Sequence, residues 1–336
     1  MTSLRTHTLR TPRQTTRYLE AGPSDGPLMF FLHGWPSIGL IWRAQLEALG
    51  AEGWHCIAPD LRGFGDSAAP ASIEEYAIRE AVEDMVELHD HVGGGPAVWV
   101  GHDWGSIVVG AVAAHHPPRC RAIVLVSWAY FPDSNALETL VPLVDRTIYP
   151  ADRYPDGQWD YYRYYVTDFD SAVADLDADV TSSLASIYRP GDPAAVGQVA
   201  PTATVSRTGG RFGSAHRAPA TEPHPDLWPA ADFDELVRAF STHGFRTSCA
   251  WYLNDAANID YARQSPDDGR LSMPVLFVNG DEDVICSIRG DRQGEPMMAS
   301  CADLTVQNLP AGHWLPLEQK EELTETIREW IRVKRL

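Results

Sequence analysis

The first 126 residues alternate between short, continuous apolar runs and stretches in which apolar residues recur at helical spacing. Continuous apolar runs are typical of strands that are buried on both faces. Such runs predict strands at 27–32, 56–58, 97–100 and 122–126. The stretches between them predict helices at 41–49, 75–91 and 107–114. Because strands alternate with helices, the pattern predicts an α/β fold class, with βαβ units and a mostly parallel central sheet flanked by helices.

The pattern changes in the middle of the chain. Aromatic-rich helical stretches replace the strands from 131 to 272. Within them, residues 190–225 are rich in Gly, Pro, Ala and Thr and predict a long loop. A loop of this length is typical of a functional segment or of a partly disordered one.

Strand-like runs return near the end of the chain, at 274–278 and 304–306, and an amphipathic helix is predicted at 318–332. We therefore interpret the middle stretch as an insertion into a single sheet-containing domain. The predicted domains are a core in two pieces and a mainly helical cap subdomain between them, at 1–131 with 273–336 and at 132–272.

The composition excludes several classes of function. With 46 acidic against 27 basic residues the formal net charge is −19, so no basic surface is expected for nucleic acid or an anionic membrane. No apolar run approaches the roughly 20 residues that cross a bilayer, and the N-terminus lacks the apolar stretch of a secretory signal. Five scattered cysteines without metal-ligand spacing are typical of a reducing compartment. We therefore expect a cytoplasmic protein without membrane insertion.

The strongest chemical signal is the sequence Gly-His-Asp-Trp-Gly at 101–105, between a predicted strand and a predicted helix. Glycines on both sides let the backbone turn sharply and present the central side chain above the sheet as a nucleophile. Here the central residue is Asp103, although an aspartate at a helix start can also be a simple cap. A carboxylate attacks an electrophilic sp³ carbon directly and forms an alkyl ester. The pattern therefore favours an epoxide or an alkyl halide as substrate.

Hydrolysis of such an ester needs a general base and an acid that orients it. His313 follows the last predicted strand, where the histidine of a nucleophile–acid–histidine series belongs. The acid is expected after the preceding strand, where Asp281, Glu282 and Asp283 lie. We favour Asp283, which would hold the imidazole in one tautomer and stabilise its charged form.

An oxyanion hole needs backbone N–H donors that point at the developing negative charge. Trp104, directly after the nucleophile, is expected to supply one donor, and Trp35, in the loop after the first predicted strand, the other. Gly34 permits a close approach, and the Trp35–Pro36 bond is a candidate cis peptide.

Together these motifs resemble the soluble epoxide hydrolases of the α/β-hydrolase fold, and the resemblance covers nearly the whole chain. The family's H-G-x-P motif, the turn after its next strand, its nucleophile motif and its histidine motif match 33–36, 61–67, 101–105 and 312–314. The resemblance implies conversion of an epoxide to a vicinal diol, with a small-molecule epoxide and water as partners. It implies no metal and no organic cofactor.

The resemblance also implies two cap tyrosines that hydrogen-bond the epoxide oxygen and protonate the departing alkoxide. The first matches at Tyr161, with Tyr162 and Tyr164 as other registers. The second matches at Tyr252, although its neighbours depart from the family pattern. A neutral tyrosine, with a pKa near ~10, can donate a proton at neutral pH. The same aromatic residues could also be ordinary cap core.

Two alternatives to epoxide hydrolysis stay open. Haloalkane dehalogenases resemble this chain in fold and aspartate nucleophile, and they bind the halide with Trp side chains, a role open to Trp104. A halide leaves without a proton, however, so the cap tyrosines favour the epoxide. A non-enzymatic small-molecule-binding protein on the same fold would predict an eroded triad. We expect Trp35, Trp104 and Trp314 to contact the substrate, and assembly as a homodimer is left open.

Overall fold

Eight strands form one sheet in the computed structural model, which describes residues 4–289 and 292–336. In chain order they are β1 (Arg5–Arg10), β2 (Thr15–Ala21), β3 (Leu28–Leu32), β4 (His55–Pro59), β5 (Ala97–His102), β6 (Cys120–Val126), β7 (Leu271–Gly280) and β8 (Cys301–Leu309). Their order across the sheet is β1-β2-β4-β3-β5-β6-β7-β8. β2 pairs antiparallel with β1 and β4, whereas the remaining neighbours are parallel. This confirms the predicted α/β fold with a mostly parallel sheet.

The helices fall into three groups along the chain. Among the first six strands lie α1 (Arg43–Ala51), α2 (Ile78–His91) and α3 (Trp104–His115). Between β6 and β7 lie α4 (Leu137–Leu140), α5 (Asp160–Thr167), α6 (Phe169–Asp177), α7 (Val180–Ile187), α8 (Val205–Thr208), α9 (Ala230–His243), α10 (Arg246–Cys249) and α11 (Asp255–Ala262). After β7 come α12 (Glu295–Ser300), α13 (Leu315–Glu318) and α14 (Lys320–Lys334). None of the helices described is long and apolar enough to cross a membrane.

The group between β6 and β7 lies in the stretch predicted as the cap. β7 begins at Leu271, two residues before the predicted start of the second core piece at 273. The division of the chain into a core domain and a cap subdomain remains a prediction.

Two strands and one helix start differ from the apolar pattern. The pattern does not predict β1, because its residues are exposed or half-buried, or β2, because it carries polar side chains among its buried ones. The helix predicted from 75 begins at Ile78, after a 3-10 turn at Ile73–Tyr76. Short runs of continuous apolar residues therefore identify the central parallel strands and miss the antiparallel hairpin at the sheet edge.

The carboxyl ends of the parallel strands meet at one edge of the sheet, and the loops that follow them collect side chains there. The loop after β3 carries Trp35, and β5 ends one residue before Asp103. The loop after β7 carries Asp283, and the loop after β8 carries His313. The topology thus brings together four residues that are far apart in the sequence.

The long segment 190–225 forms short turns and one short helix that are tied to the rest of the molecule. The Ser206 N–H donates to Asp160 Oδ2 at 2.7 Å, which joins the segment to the first residue of α5. The Gly191 N–H donates to Glu318 Oε2 at 2.7 Å, which joins it to α13. The segment is therefore anchored at both the cap helices and the strand-end edge of the sheet.

Candidate active site

Asp103 sits in a sharp turn between β5 and α3. Its backbone has φ 53° and ψ −123°, a region that residues other than glycine rarely adopt. The turn depends on Gly105, where an added Cβ would lie 2.1 Å from the Leu32 carbonyl oxygen. The glycine lets α3 start directly against β3, and the turn presents Asp103 at the strand-end edge.

Two backbone N–H groups hold the Asp103 carboxylate. Trp35 N–H donates to Oδ1 at 2.8 Å, and Trp104 N–H also donates to the carboxylate. Gly34 allows this approach, because a Cβ at that position would lie 2.3 Å from the same oxygen. The Trp35–Pro36 peptide is cis, as the sequence suggested. Burial raises the pKa of Asp103, although the charge of His313 and the two N–H groups act in the opposite direction.

His313 links the other two charged groups of the site. Its Nδ1 lies 2.8 Å from Asp283 Oδ2, and its Nε2 lies 3.7 Å from Asp103 Oδ2. Asp283 Oδ1 accepts from the N–H groups of Ile285 and Cys286 at 2.9 and 3.0 Å. Burial alone would raise the pKa of Asp283, but the charge and hydrogen bond of His313 and these N–H groups together lower it. The structure therefore brings the three predicted residues into one chain of contacts.

The charge state of His313 depends on its two carboxylate neighbours. Burial alone would lower its pKa, but Asp283, by charge and hydrogen bond, and then Asp103, by charge, raise it to about 9. At neutral pH the ring is therefore an imidazolium in the resting protein. When Asp103 loses its charge, one of the interactions that raise the pKa of His313 is lost.

Replacement of Asp103 by asparagine is expected to lower the pKa of His313 from about 9. The sign follows from Coulomb attraction, since a nearby anion favours the charged form of the imidazole and a neutral amide does not. The imidazole C–H signals of His313 in an NMR titration measure the change. The variant Asp281→Asn, which changes another acid of the loop after β7, should leave this pKa close to its wild-type value. An unchanged His313 pKa in Asp103→Asn would mean that the two side chains do not interact in solution.

The loop that carries His313 is held by residues that the sequence analysis did not single out. The carbonyl oxygen of His313 accepts from His102 Nε2 at 2.7 Å and from Ser127 Oγ at 3.0 Å. Glu318 accepts from the N–H groups of Gly312 and Trp314, each at 2.9 Å. Glu318 is the last residue of the four-residue helix α13, and its carboxylate reaches back to the N–H groups that precede the helix.

The structure distinguishes among the candidate tyrosines. Tyr161, from α5, and Tyr252, from the 3-10 turn Ala250–Leu253, line one cavity with Asp103, and a side-chain hydrogen bond links them. The Tyr162 hydroxyl instead donates to Asp255, and Tyr164 interacts with Ser171. Burial raises the pKa of both Tyr161 and Tyr252 well above its usual range, so both hydroxyls carry their protons at neutral pH.

The three tryptophans expected at the substrate site have different positions. Trp35 and Trp314 line the cavity that contains Asp103 and His313. The Trp104 ring lines a second cavity, and its indole N–H is hydrogen-bonded to Tyr252. A direct contact between the Trp104 side chain and substrate therefore remains a prediction, whereas its backbone N–H is already at the Asp103 carboxylate.

One group of side chains has the composition of a metal site. Ligand atoms of Asp283, Cys286 and His313 lie within 4.8 Å of one another. The hydrogen bond between Asp283 and His313 accounts for the approach of two of them without an ion. The expectation that the enzyme works without a metal rests on the sequence resemblance.

Comparisons with known proteins agree with this geometry. A family model for the alpha/beta hydrolase fold matches residues 27–319. Epoxide hydrolase A of Mycobacterium tuberculosis is 31% identical over 328 residues, which cover 94% of this chain and 93% of that protein. The crystal structure of Epoxide Hydrolase A from Mycobacterium thermoresistibile matches with a TM-score of 0.80 at 28% identity, covering 98% of both chains. Bifunctional epoxide hydrolase 2 of Sus scrofa is 25% identical over 95% of this chain, which spans 54% of that longer protein. The chain therefore belongs to the epoxide hydrolase family of the α/β-hydrolase fold.

Proposed function

We propose that this protein hydrolyses small-molecule epoxides to vicinal diols through a covalent hydroxyalkyl ester on Asp103. The observation that carries the proposal is a single cavity lined by the aspartate of the β5–α3 turn, two protonated tyrosines and His313. His313 is in turn hydrogen-bonded to Asp283. Each group has a distinct task in a two-step reaction. The named relatives are epoxide hydrolases, which supports the same reaction class.

In the first step Asp103 acts as the nucleophile. Trp35 N–H occupies Oδ1 at 2.8 Å, so Oδ2 is the oxygen free to attack an epoxide carbon. As the new C–O bond forms, the ring C–O bond breaks and its electrons go to the epoxide oxygen. Tyr161 and Tyr252 hydrogen-bond that oxygen, and one of them passes it a proton. A phenol is a stronger acid than an aliphatic alcohol, so transfer of its proton to the alkoxide is favourable.

In the second step His313 acts as the base. The ester on Asp103 is neutral, so the attraction that helps to keep His313 protonated is weakened, and the ring can give up its proton to restore the tyrosine that was deprotonated in the first step. The neutral ring then takes a proton from a water molecule that attacks the ester carbonyl carbon, while Asp283 stabilises the imidazolium. The N–H groups of Trp35 and Trp104 stabilise the oxyanion, and its collapse breaks the bond to the alkoxide. The alkoxide takes the proton of the new carboxyl group, which releases the diol and restores Asp103 as a carboxylate.

The position of Trp104 argues against halide chemistry as the main activity. A dehalogenase would need free indole N–H donors for the departing halide, whereas this indole is bonded to Tyr252. The intact contacts of His313 with Asp283 and Asp103 also favour an enzyme over a binding protein that has lost its triad. A homodimer and a cytoplasmic location remain predictions from the sequence.

The double variant Tyr161→Phe/Tyr252→Phe is expected to lower the turnover of styrene oxide by about 10²–10⁴-fold, the usual contribution of general acid catalysis. Diol formation is measured beside bromide release from bromobutane, which needs no proton donor. Tyr154→Phe, a change of the same kind outside the cavity, is the matched control and should keep wild-type turnover.

Two results would contradict this proposal. Diol formation at the wild-type rate in the double variant would remove the tyrosines from the mechanism. Bromide release that is faster than diol formation and survives loss of both tyrosines would assign the protein to the dehalogenases.

A further inference from the structure

Arg211 brings a positive charge into the active-site cavity. It belongs to the segment 190–225 and lines the same cavity as Asp103 and His313. Its guanidinium carbon lies 5.8 Å from the centre of the Trp35 ring, so the cation faces the residue whose N–H binds the nucleophile. Arginine stays protonated at any pH at which the enzyme works. Neither step of epoxide hydrolysis uses this charge.

The guanidinium has weak partners within the protein. Its Nη1 donates to the Tyr165 hydroxyl at 3.4 Å, which is long for a hydrogen bond. Over the ranges 4–289 and 292–336, no carboxylate comes within 4.0 Å of Arg211. Asp175 lies close to the backbone at Gly210, where its Oδ1 pairs with His216 at 2.9 Å. Its Oδ2 has no hydrogen-bond partner in the described part of the chain and does not come within 4.0 Å of the guanidinium. A partly buried cation without a counter-ion is unfavourable, and an anionic ligand would offset that cost.

The other residues of the cavity wall indicate what kind of anion Arg211 can bind. Ile187, Ile285 and Trp314 supply apolar surface, whereas Thr202 adds a hydroxyl that has no hydrogen-bond partner in the described part of the chain. In that same part, no lysine and no second arginine lines the cavity. One planar guanidinium matches a carboxylate through two parallel hydrogen bonds, whereas a phosphate dianion would require more positive charge.

Arg211 also stands out against the charge of the whole molecule. The formal net charge is −19, so the protein as a whole repels anions. A single arginine in the cavity is therefore a local exception rather than part of a basic surface. Its attraction can act only on an anion that enters the cavity.

We propose that Arg211, assisted by Thr202, forms a carboxylate-binding subsite, and that the enzyme prefers epoxides carrying a carboxylate over their neutral counterparts. The subsite rests on the proposed function, since it places the carboxylate and the epoxide in one cavity. Arg211 faces the Trp35 ring at 5.8 Å, whereas Asp103 is bound by the Trp35 backbone N–H, so the two groups contact different parts of this residue. The carboxylate therefore lies several bonds from the epoxide ring, as in a styrene oxide with a carboxylate in the para position.

The kinetic test compares para-carboxystyrene oxide with its neutral methyl ester. The wild-type enzyme is expected to favour the acid in kcat/KM, mainly through KM. Arg211→Gln, which keeps a donor for Tyr165 but no charge, is expected to reduce the acid-to-ester ratio about 10- to 100-fold, as for loss of one hydrogen bond to a charged group. Arg211→Lys should restore part of the ratio, and added salt should lower it in the wild type.

Arg207→Gln is the matched control. Arg207 lies in the same segment and its guanidinium lies 5.0 Å from the Tyr154 ring, yet it is exposed and outside the cavity. The Arg207→Gln variant should keep the wild-type acid-to-ester ratio of kcat/KM. An equal acid-to-ester ratio in Arg211→Gln and the wild type would overturn the subsite while leaving epoxide hydrolysis intact.

A binding measurement separates the subsite from the reaction. Para-ethylbenzoate has no epoxide, so its Kd, measured by isothermal titration calorimetry, does not depend on turnover. We expect its Kd to rise about 10- to 100-fold in Arg211→Gln. That result in a protein without epoxide turnover would support the subsite and contradict the proposed function. Equal Kd values for the two proteins would overturn the subsite regardless of turnover.

Discussion

Replacement of Asp103 by alanine is expected to lower kcat for diol formation by about 10⁴-fold or more, the scale of losses when a catalytic nucleophile is removed. Alanine leaves no atom that can form the ester, and water activated by His313 would have to attack the epoxide directly. Steady-state turnover of styrene oxide, followed by diol appearance, measures the loss. Alanine keeps the positive-φ backbone of this turn, so circular dichroism and the melting temperature establish that the variant is folded before its turnover is interpreted.

The control for Asp103→Ala is Asp281→Ala, which removes a carboxylate from the loop after β7 but leaves Asp283 in place. It should keep turnover within a few-fold of wild type. A folded Asp103→Ala protein with near-native turnover would show that the reaction proceeds without the covalent ester, and the proposed mechanism would have to be abandoned.

Replacement of His313 by glutamine is expected to stop the reaction after its first step. Glutamine cannot accept a proton from water, so the ester on Asp103 forms and persists. Mass spectrometry of the protein after brief exposure to styrene oxide should show the added mass of one substrate molecule, located by proteolysis at Asp103. Diol should appear only as the ester decays slowly.

This experiment is best made above neutral pH. The His313 charge lowers the pKa of Asp103, so its loss raises that pKa further and an alkaline buffer keeps the nucleophile ionised. His91→Gln, a change at an exposed position near the end of α2, is the control and should accumulate no adduct. Undiminished turnover of His313→Gln, with no adduct, would exclude His313 as the base.

The sequence predicts much of the catalytic centre because the groups there follow strand ends. Asp103 and His313 are marked by glycine-flanked turns after apolar runs, and the structure places them 3.7 Å apart. Asp283 is one of three acids in its loop, and its selection depends on spacing. The central strands are found for the same reason, since burial on both faces leaves a continuous apolar run.

The sequence alone does not predict which tyrosine of α5 faces the active site. Tyr161, Tyr162 and Tyr164 lie within one helix. Tyr162 points to a different side of the helix from Tyr161, whereas Tyr164, three residues further on, shares a face with it. Which of them faces Asp103 depends on how α5 is rotated against the core. That rotation is set by tertiary contacts such as the hydrogen bond from Tyr162 to Asp255, which local sequence does not encode.

The sequence does not predict that Arg211 lies in the active-site cavity, for a related reason. It lies in an irregular segment whose composition predicts only a loop, with no periodicity to give a direction to its side chain. Its position in the cavity depends on distant anchors, including the bond from Ser206 to Asp160 at 2.7 Å. Charge alone does not separate it from the other arginines of this segment, which include Arg207.

The conformation of Asp103 has a consequence for how the protein can evolve. A residue with φ 53° and ψ −123° costs roughly 1–3 kcal/mol relative to a relaxed backbone, and glycine would adopt it more readily. A variant with glycine at this position would therefore be inert and yet melt at a higher temperature than the parent. Selection for thermal robustness alone would replace the nucleophile with glycine, so the catalytic turn and the stability of the native state impose opposite demands on this position.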